Sequence, residues 1–192
     1  EQPLTSNTTW NEEIQLLRNR IPESWKSFQT SPSPLHPMGI CSASRSLLQD
    51  HSLFVCDGGE FGQWIQAGLD RTHRLINGPS GAIGGAVSMG LAAKLADPEK
   101  TVFVFSGDGA FGFHIMEFDT AVRYNIPVVA IVGNDSRWNA EHVLQMKHYG
   151  EKRTIGCELL PSRYDKIVQS LGGFGTSIDK LEDLETALSD AI

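Results

Sequence analysis

From residue 38 onward, the chain alternates between apolar positions at helical spacing and short, continuous apolar runs. The continuous runs are rich in β-branched residues and predict strands at 53–56, 101–105 and 128–132, with an edge strand at 176–178. Helical spacing predicts helices over 38–49, 81–95, 113–124, 138–149, 164–171 and 181–192. Fully apolar strands between helices are typical of an α/β fold: a three-layer, doubly wound, mainly parallel sheet with helices on both faces.

The first 35 residues have a different character. Apolar residues between Trp10 and Phe28 recur at roughly helical spacing, but Pro22 interrupts them and a proline-rich stretch follows at 31–37. We interpret 1–35 as a linker segment from a preceding domain that packs on a neighbouring surface, and 36–192 as one ligand-binding domain. The length of 192 residues suits one domain with an appendage.

Composition narrows the class of protein. The chain has 16 Lys and Arg residues against 23 Asp and Glu residues, and no basic cluster. We therefore expect no nucleic-acid partner and no charge-driven membrane binding. The longest apolar stretch, 126–132, is far shorter than the ~20 residues of a membrane span. Three cysteines without a CxxC spacing, and no basic-then-apolar signal at the start, predict free thiols and a cytoplasmic protein.

The candidate chemistry lies in loops that follow predicted strands, where parallel sheets bind ligands. After Phe105 the chain reads Gly107-Asp108-Gly109 and matches GxGxxG through Gly112, with Asp135 placed 23 residues further on. This layout resembles a dinucleotide fingerprint, which is one hypothesis. The Asp108 carboxylate would repel a diphosphate by ~4 kcal/mol per charge pair at ~4 Å and an effective dielectric of ~20. A Mg²⁺ ion between them would remove that conflict.

The loop after Val132 supplies a second acid. Asp135 lies 27 residues past Asp108 and reaches the same site if the two strands are neighbours. Asn134 is the fallback ligand, and the alternative for both residues is an Asx turn that caps the helix beginning near Trp138. A further glycine cluster, 78–85, precedes a predicted helix; we assign 78–81 to a ligand and Gly85 to tight packing.

These motifs resemble the C-terminal cofactor-binding domain of thiamine diphosphate-dependent enzymes. In that family a strand is followed by GDG, then by about 25 residues and an Asn/Asp pair, as Gly107-Asp108-Gly109 and Asn134-Asp135 are here. The stretches 56–64, 78–81 and 123–127 also fit. The likeness spans about 36–172 and is nearest to the group of acetolactate synthase, benzoylformate decarboxylase and 2-hydroxyacyl-CoA lyase.

The resemblance implies a site. Asp108 and Asp135 would bind Mg²⁺ through their side chains and Arg137 through its carbonyl. The implied cofactor-binding set is Gly58, Gly59, Glu60, Phe61, Gly78, Ser80, Gly107, Gly109, Ala110, Trp138 and Asn139. Ser80 stands where the family has the bulky apolar residue that keeps the cofactor bent, a role Ile83 could take instead.

The resemblance also implies an activity and partners. The family decarboxylates or carboligates 2-oxo acids with Mg²⁺ and thiamine diphosphate, and the activating glutamate lies on a separate pyrimidine-binding domain. No second α/β unit precedes residue 36, so we expect a C-terminal fragment or separate subunit, inactive alone. Its site would be completed by another subunit of a homodimer or tetramer that acts on a small 2-oxo acid or acyl substrate. The alternatives are a dinucleotide-binding oxidoreductase domain and a non-catalytic paralogue, the latter because of Ser80.

Overall fold

A computed structural model describes residues 8–18, 21–30, 34–48, 51–69, 73–77 and 80–192. The strands are β1 (Ser52–Cys56), β2 (Arg74–Ile76), β3 (Thr101–Gly107) and β4 (Val129–Gly133). The helices are α1 (Thr8–Arg18), α2 (Glu23–Lys26), α3 (Pro37–Ser44), α4 (Gly59–Gly68), α5 (Ala86–Ala96), α6 (Asp108–His114), α7 (Glu117–Arg123), α8 (Asn139–Tyr149), α9 (Tyr164–Ser170) and α10 (Leu184–Ala191). Within these ranges, none of the helices has the length and apolar character that crossing a bilayer demands.

The four strands form a parallel sheet in the order β2-β1-β3-β4. The chain leaves β1 through α4 to reach β2, and then returns through α5 to β3 on the other side of β1. The direction of winding therefore reverses between β1 and β3. At such a switch point the loops after the two strands diverge and leave a crevice at their carboxyl ends.

Helices cover both faces of the sheet, because alternate side chains of each strand point to opposite faces. On one face, Phe54, Phe103, Phe105 and Ile131 pack with residues of α3, α4 and α10. On the other, Val55, Val102 and Val104 pack with residues of α5, α6, α7 and α9. The prediction of a doubly wound, three-layer α/β fold is confirmed.

The edge of the sheet differs from the prediction. Residues 176–178 form no strand, so the strand predicted there is wrong. The described edge strands are β2 and β4, and the one the sequence did not predict is β2, whose three residues are all exposed. An exposed edge strand of three residues carries neither the continuous apolar run nor the clear alternation that marks a buried strand, and the sequence pattern missed it.

Glycines shift two helix boundaries. The helix predicted over 81–95 begins only at Ala86, because Gly81 and Gly84 adopt φ values of 67° and 92° that an α-helix does not allow. The helix predicted over 113–124 is two helices, α6 and α7, separated by a turn at 115–116. Gly107, Gly109 and Gly112 lower the helix propensity of this stretch, so the sequence pattern did not predict the start of α6.

Residues 21–30 pack on α4 through aromatic contacts. Trp25 meets Trp64 edge-on with ring centroids 4.9 Å apart, and Phe28 stacks on His36 at 4.3 Å. His36 in turn meets Trp64 at 4.8 Å. We call Trp25, Phe28, His36 and Trp64 the aromatic cluster. The boundary between 1–35 and 36–192 as separate units stays a prediction.

Candidate metal and cofactor site

The carboxyl ends of β1, β3 and β4 open into one cleft of about 630 Å³. This volume is in the range of small-molecule binding sites. Most of the residues singled out in the sequence line the cleft: Gly58, Gly59, Glu60, Phe61, Gly107, Asp108, Gly109, Ala110, Asp135, Arg137, Trp138 and Asn139. The fold therefore gathers three loops that are distant in sequence at the switch point.

Asp108 is the first residue of α6 and is only 2% exposed. Its Oδ2 atom is buried and has no hydrogen-bond partner. The Tyr164 hydroxyl donates to the Asp108 carbonyl at 3.0 Å, and so ties the backbone of this residue to α9. A buried carboxylate oxygen without a partner is costly, and it fits the chemistry of a cation ligand.

Asn134 and Asp135 differ in what their side chains do. Register pairs Gly107 with Gly133, so β3 and β4 end side by side. The Asn134 side chain accepts from the Ser136 N–H at 3.2 Å and donates to the Ser162 carbonyl at 3.0 Å. Both residues line the cleft, but it is the Asn134 side chain that forms the Asx turn.

The two acids interact electrostatically. Burial raises the pKa of Asp108 above its ordinary value, and the charge of Asp135 adds to the rise; the Gly109 and Arg137 backbone groups oppose it. Part of Asp135 reaches solvent, but the cleft walls desolvate its carboxylate and raise its pKa as well, against the opposing Arg137 backbone. Two carboxylates that resist ionisation together become compatible when a divalent cation lies between them.

The donor set favours a hard cation. Across the described ranges, no group of three or more His, Cys, Asp and Glu side chains is arranged to hold a metal. Where β3 and β4 end, the cleft offers the carboxylates of Asp108 and Asp135 and nearby backbone oxygens instead. Mg²⁺ is usually held by one or two carboxylates together with phosphate oxygens and water, so the residues present fit that ion when a phosphate-bearing ligand is bound with it.

Trp138 forms a wall over the GDG turn. A Cβ atom added at Gly109 would lie 2.5 Å from Cζ3 of the Trp138 ring, so only glycine fits beneath it. The ring also meets Phe113 with centroids 5.8 Å apart. The backbone N–H of Trp138 donates to the Cys157 carbonyl at 2.8 Å. The preceding residue, Arg137, forms an antiparallel bridge with Glu158.

Glu60 connects two sides of the cleft. Its carboxylate accepts from the Trp64 indole N–H at 3.4 Å, within α4, and from the Asn139 amide at the start of α8. Phe61, the next residue, lies against Gly133 so closely that a side chain at 133 would collide with its ring.

The glycine cluster before α5 has a mixed outcome. Gly78 lies outside the described residues. Ser80 is exposed and is not among the described residues that line the cleft. Ile83 does line it, at 37% exposure, and a Cβ atom at Gly58 would lie 2.9 Å from its Cγ2. The apolar side chain in this wall is thus Ile83, and the role of Ser80 stays a prediction.

Sequence reasoning assigned no role to Asp57, His36, Asn77 or Leu144. The last three line the cleft, and Asp57 is a buried carboxylate directly behind it. For Asp57 a signal was present: an acid at the end of an apolar strand and before glycines, the same local context as Asp108. The other three line the cleft through long-range packing that leaves no local signature.

A parallel sheet with a switch-point cleft, glycine-rich loop ends and paired acids defines a class. It is an α/β domain that binds a phosphate-bearing cofactor together with a divalent cation. Residues 57–192 match the family described as "Thiamine pyrophosphate enzyme, C-terminal TPP binding domain". The chain belongs to this family, whose cofactor is thiamine diphosphate with Mg²⁺ as its usual partner. The family decides against the dinucleotide-binding hypothesis.

Named relatives agree with this assignment. The chain is 40% identical over 162 residues to a probable acetolactate synthase of Mycobacterium bovis, covering 82% of this chain and 29% of the relative. It is 30% identical over 179 residues to mouse 2-hydroxyacyl-CoA lyase 2, covering 91% and 28%. It is 30% identical over 172 residues to the acetolactate synthase of Bacillus subtilis, covering 88% and 29%. The chain spans less than a third of the length of these relatives.

Proposed function

We propose that the cleft holds Mg²⁺ through the carboxylates of Asp108 and Asp135 and the carbonyl of Arg137, and thiamine diphosphate through its diphosphate. The observation that carries the proposal is the buried, unpartnered Oδ2 of Asp108, beside a second acid at the end of the neighbouring strand.

The remaining walls suit the other parts of the cofactor. Gly59 in the first turn of α4, and Gly109 and Ala110 in the first turn of α6, line the cleft with backbone N–H groups, where a diphosphate needs donors, and Gly58 lines it beside them. Ile83 provides the apolar surface that can support the cofactor rings. Trp138 and Asn139 line the side of the cleft toward α8, where we place the substrate.

The whole protein, in this proposal, decarboxylates or carboligates 2-oxo acids in the manner of acetolactate synthases. When bound, thiamine diphosphate supplies the electron sink for breaking or forming the bond next to the substrate carbonyl. The residues of this chain bind and orient: the acids hold the cation, Ile83 and Trp138 restrict the space, and Glu60 fixes Asn139. The alternative within the same chemistry is an acyl substrate, as the name of the relative 2-hydroxyacyl-CoA lyase 2 indicates.

We further propose that a pyrimidine-binding domain, supplied by another subunit of a homodimer or tetramer, completes the site. Exposed apolar residues of α8, among them Leu144 at the cleft and Val143 and Met146 beside it, support a covered surface there. Cys41, Cys56 and Cys157 are free and buried, which supports a reducing compartment, and we propose the cytoplasm.

Calorimetric titration of the full-length protein tests the cofactor assignment. Thiamine diphosphate is expected to bind with Mg²⁺ present and to lose at least 100-fold in affinity with EDTA. Asp108→Ala is expected to abolish the Mg²⁺-dependent binding, whereas Asp119→Ala, an exposed acid paired with Arg123 at 2.6 Å, leaves it unchanged. Metal-independent binding of the cofactor, or unaltered binding by Asp108→Ala, would contradict the metal site.

Assays of CO₂ release from a panel of 2-oxo acids test the activity separately. Turnover of one or more of them is expected with the protein that binds the cofactor. A protein that binds Mg²⁺ and thiamine diphosphate but releases no CO₂ and forms no carbon–carbon bond would be a non-catalytic paralogue.

A further inference from the structure

Asp57 is the residue that follows β1, and its side chain joins parts of the chain that are far apart in sequence. It is 1% exposed. Its Oδ1 accepts from the Gly58 N–H at 2.8 Å and from the Gly84 N–H at 2.9 Å. Its Oδ2 accepts from the Ser106 hydroxyl at 3.2 Å and, at 3.4 Å, from the Ala86 N–H. We call Asp57 and these four donors the Asp57 junction.

The junction connects three segments that each continue into the cleft. Gly58 begins the loop after β1, Gly84 follows Ile83 in the loop before α5, and Ser106 precedes Gly107 at the end of β3. Asp57 itself is not among the described residues that line the cleft. Its carboxylate therefore lies behind the cleft. Through its hydrogen bonds to the three segments it sets the distance between the cleft walls.

The geometry goes beyond an ordinary helix cap. A cap satisfies N–H groups of one helix from the residue that precedes it. Asp57 lies 29 residues from Ala86 at the start of α5, and it also binds Ser106, 49 residues away on β3. Four donors around one buried carboxylate, two of them at the start of α5, offset the cost of burying its charge.

We propose that Asp57 is a positioning residue for cofactor binding. It holds the Gly58 loop and the Ile83 loop at the separation that thiamine diphosphate requires, without touching the cofactor. The inference rests on the proposed function, because the ligand whose fit it controls is the one proposed above. It assigns a role to a carboxylate outside the metal and cofactor contacts.

Two substitutions at Asp57 remove different sets of the hydrogen bonds in the Asp57 junction. Asp57→Asn retains an oxygen that can accept from Gly58 and Gly84, but presents an N–H group to the Ala86 N–H; the Ser106 hydroxyl can turn to accept from it. Asp57→Ala removes all four bonds. Ser106→Ala removes a hydroxyl that lies 3.2 Å from both Asp57 Oδ2 and the Gly107 carbonyl, and it leaves the carboxylate in place, so it is the matched control.

The test combines two measurements on the full-length variants. Titration calorimetry with saturating Mg²⁺ is expected to give a thiamine diphosphate dissociation constant about 10-fold higher for Asp57→Asn and about 100-fold higher for Asp57→Ala, with less than about 3-fold for Ser106→Ala. Amide hydrogen exchange without cofactor is expected to lose protection at Ala86 in Asp57→Asn, and at Gly58, Gly84 and Ala86 in Asp57→Ala.

The outcomes separate this inference from the proposed function. If the wild type binds thiamine diphosphate with Mg²⁺ and Asp57→Asn binds equally well, the positioning role is wrong and the proposed function stands. A lower urea midpoint with unchanged cofactor affinity of the folded protein would likewise assign Asp57 a purely structural role. If the wild type binds no thiamine diphosphate, the proposed function itself fails. Should Asp57→Ala not fold, the comparison of Asp57→Asn with Ser106→Ala decides.

Discussion

At the scale of single residues, the two acids of the cleft destabilise the fold when no cation is bound. Burial raises the pKa of Asp108 and of Asp135, which means that the folded protein disfavours their charged forms. A raised pKa in the folded state contributes stability below the ordinary pKa, and this contribution is lost as the pH rises through the folded pKa. Without a bound cation, the cleft therefore lowers the stability of the folded protein. In the proposed function, binding of Mg²⁺ removes this cost.

Asp108→Asn is expected to make this cost measurable. In EDTA, the free energy of unfolding of the wild type should fall relative to that of Asp108→Asn as the pH rises from about 4 to about 8, because only the wild type must ionise a buried carboxyl. Urea unfolding across this pH range measures the difference.

Asp119→Asn serves as the control for that series. Asp119 is exposed and paired with Arg123. Its substitution should leave the difference from the wild type small and nearly constant with pH. If the free energies of unfolding of the wild type and Asp108→Asn also differ by an amount that is constant with pH, this result would argue against an ionised, buried Asp108.

At the scale of elements, α5 approaches the sheet closely enough that one helix position must be glycine. A Cβ atom at Gly90 would lie 2.5 Å from Cγ2 of Val104 on β3. Both residues are buried in the packing of α5 on the second face of the sheet. The close approach also brings the start of α5, and with it Gly84 and Ala86, to the carboxylate of Asp57.

Gly90→Ala is therefore expected to destabilise the protein by about 2 kcal/mol. Helix propensity alone would stabilise it by about 1 kcal/mol, so the sign distinguishes packing from propensity. In a Val104→Ala background, Gly90→Ala should cost about 1 kcal/mol less, which a double-mutant cycle from urea unfolding measures as the coupling. Ser88→Ala, at an exposed position of the same helix, should change stability by less than about 0.5 kcal/mol. Additive effects at 90 and 104 would contradict the close contact.

At the scale of the whole molecule, the segment at 21–30 belongs to the packed structure. The aromatic cluster joins it to α4, and α4 carries Glu60 and Phe61 into the cleft. His36 and Trp64 themselves line the cleft. Residues 21–30 thus have a described contact partner, α4, and the interpretation of 1–35 as a linker segment stays a prediction.

Trp25→Ala tests this packing. It removes an edge-to-face contact with Trp64 and should lower the free energy of unfolding by about 1.5 kcal/mol in a urea titration. Leu16→Ala is the control, since Leu16 on α1 is 75% exposed and should contribute less than about 0.5 kcal/mol. Equal effects of the two substitutions would mean that 21–30 adds no stability through the cluster.

Part of the fold and of the candidate site could be predicted from the sequence. Continuous apolar runs identified β1, β3 and β4, because a strand buried on both faces needs apolar residues at every position. The motif Gly107-Asp108-Gly109 and the second acid indicated the cleft, because parallel strands carry their ligand loops at one edge. These properties depend on residue types at short, fixed spacings, so the amino-acid sequence alone determined them.

Tertiary structure decided what depends on contacts between distant segments. The edge strand β2 is exposed and has no pattern of its own; it exists because β1 offers it a pairing partner. Asn134 and Asp135 are neighbours in the chain, yet only tertiary structure brings the Asn134 amide to the Ser162 carbonyl, 28 residues away. Three of the four donors to Asp57 lie 27 to 49 residues away. A buried carboxylate takes its role from the donors that folding brings to it, and no local spacing encodes those donors.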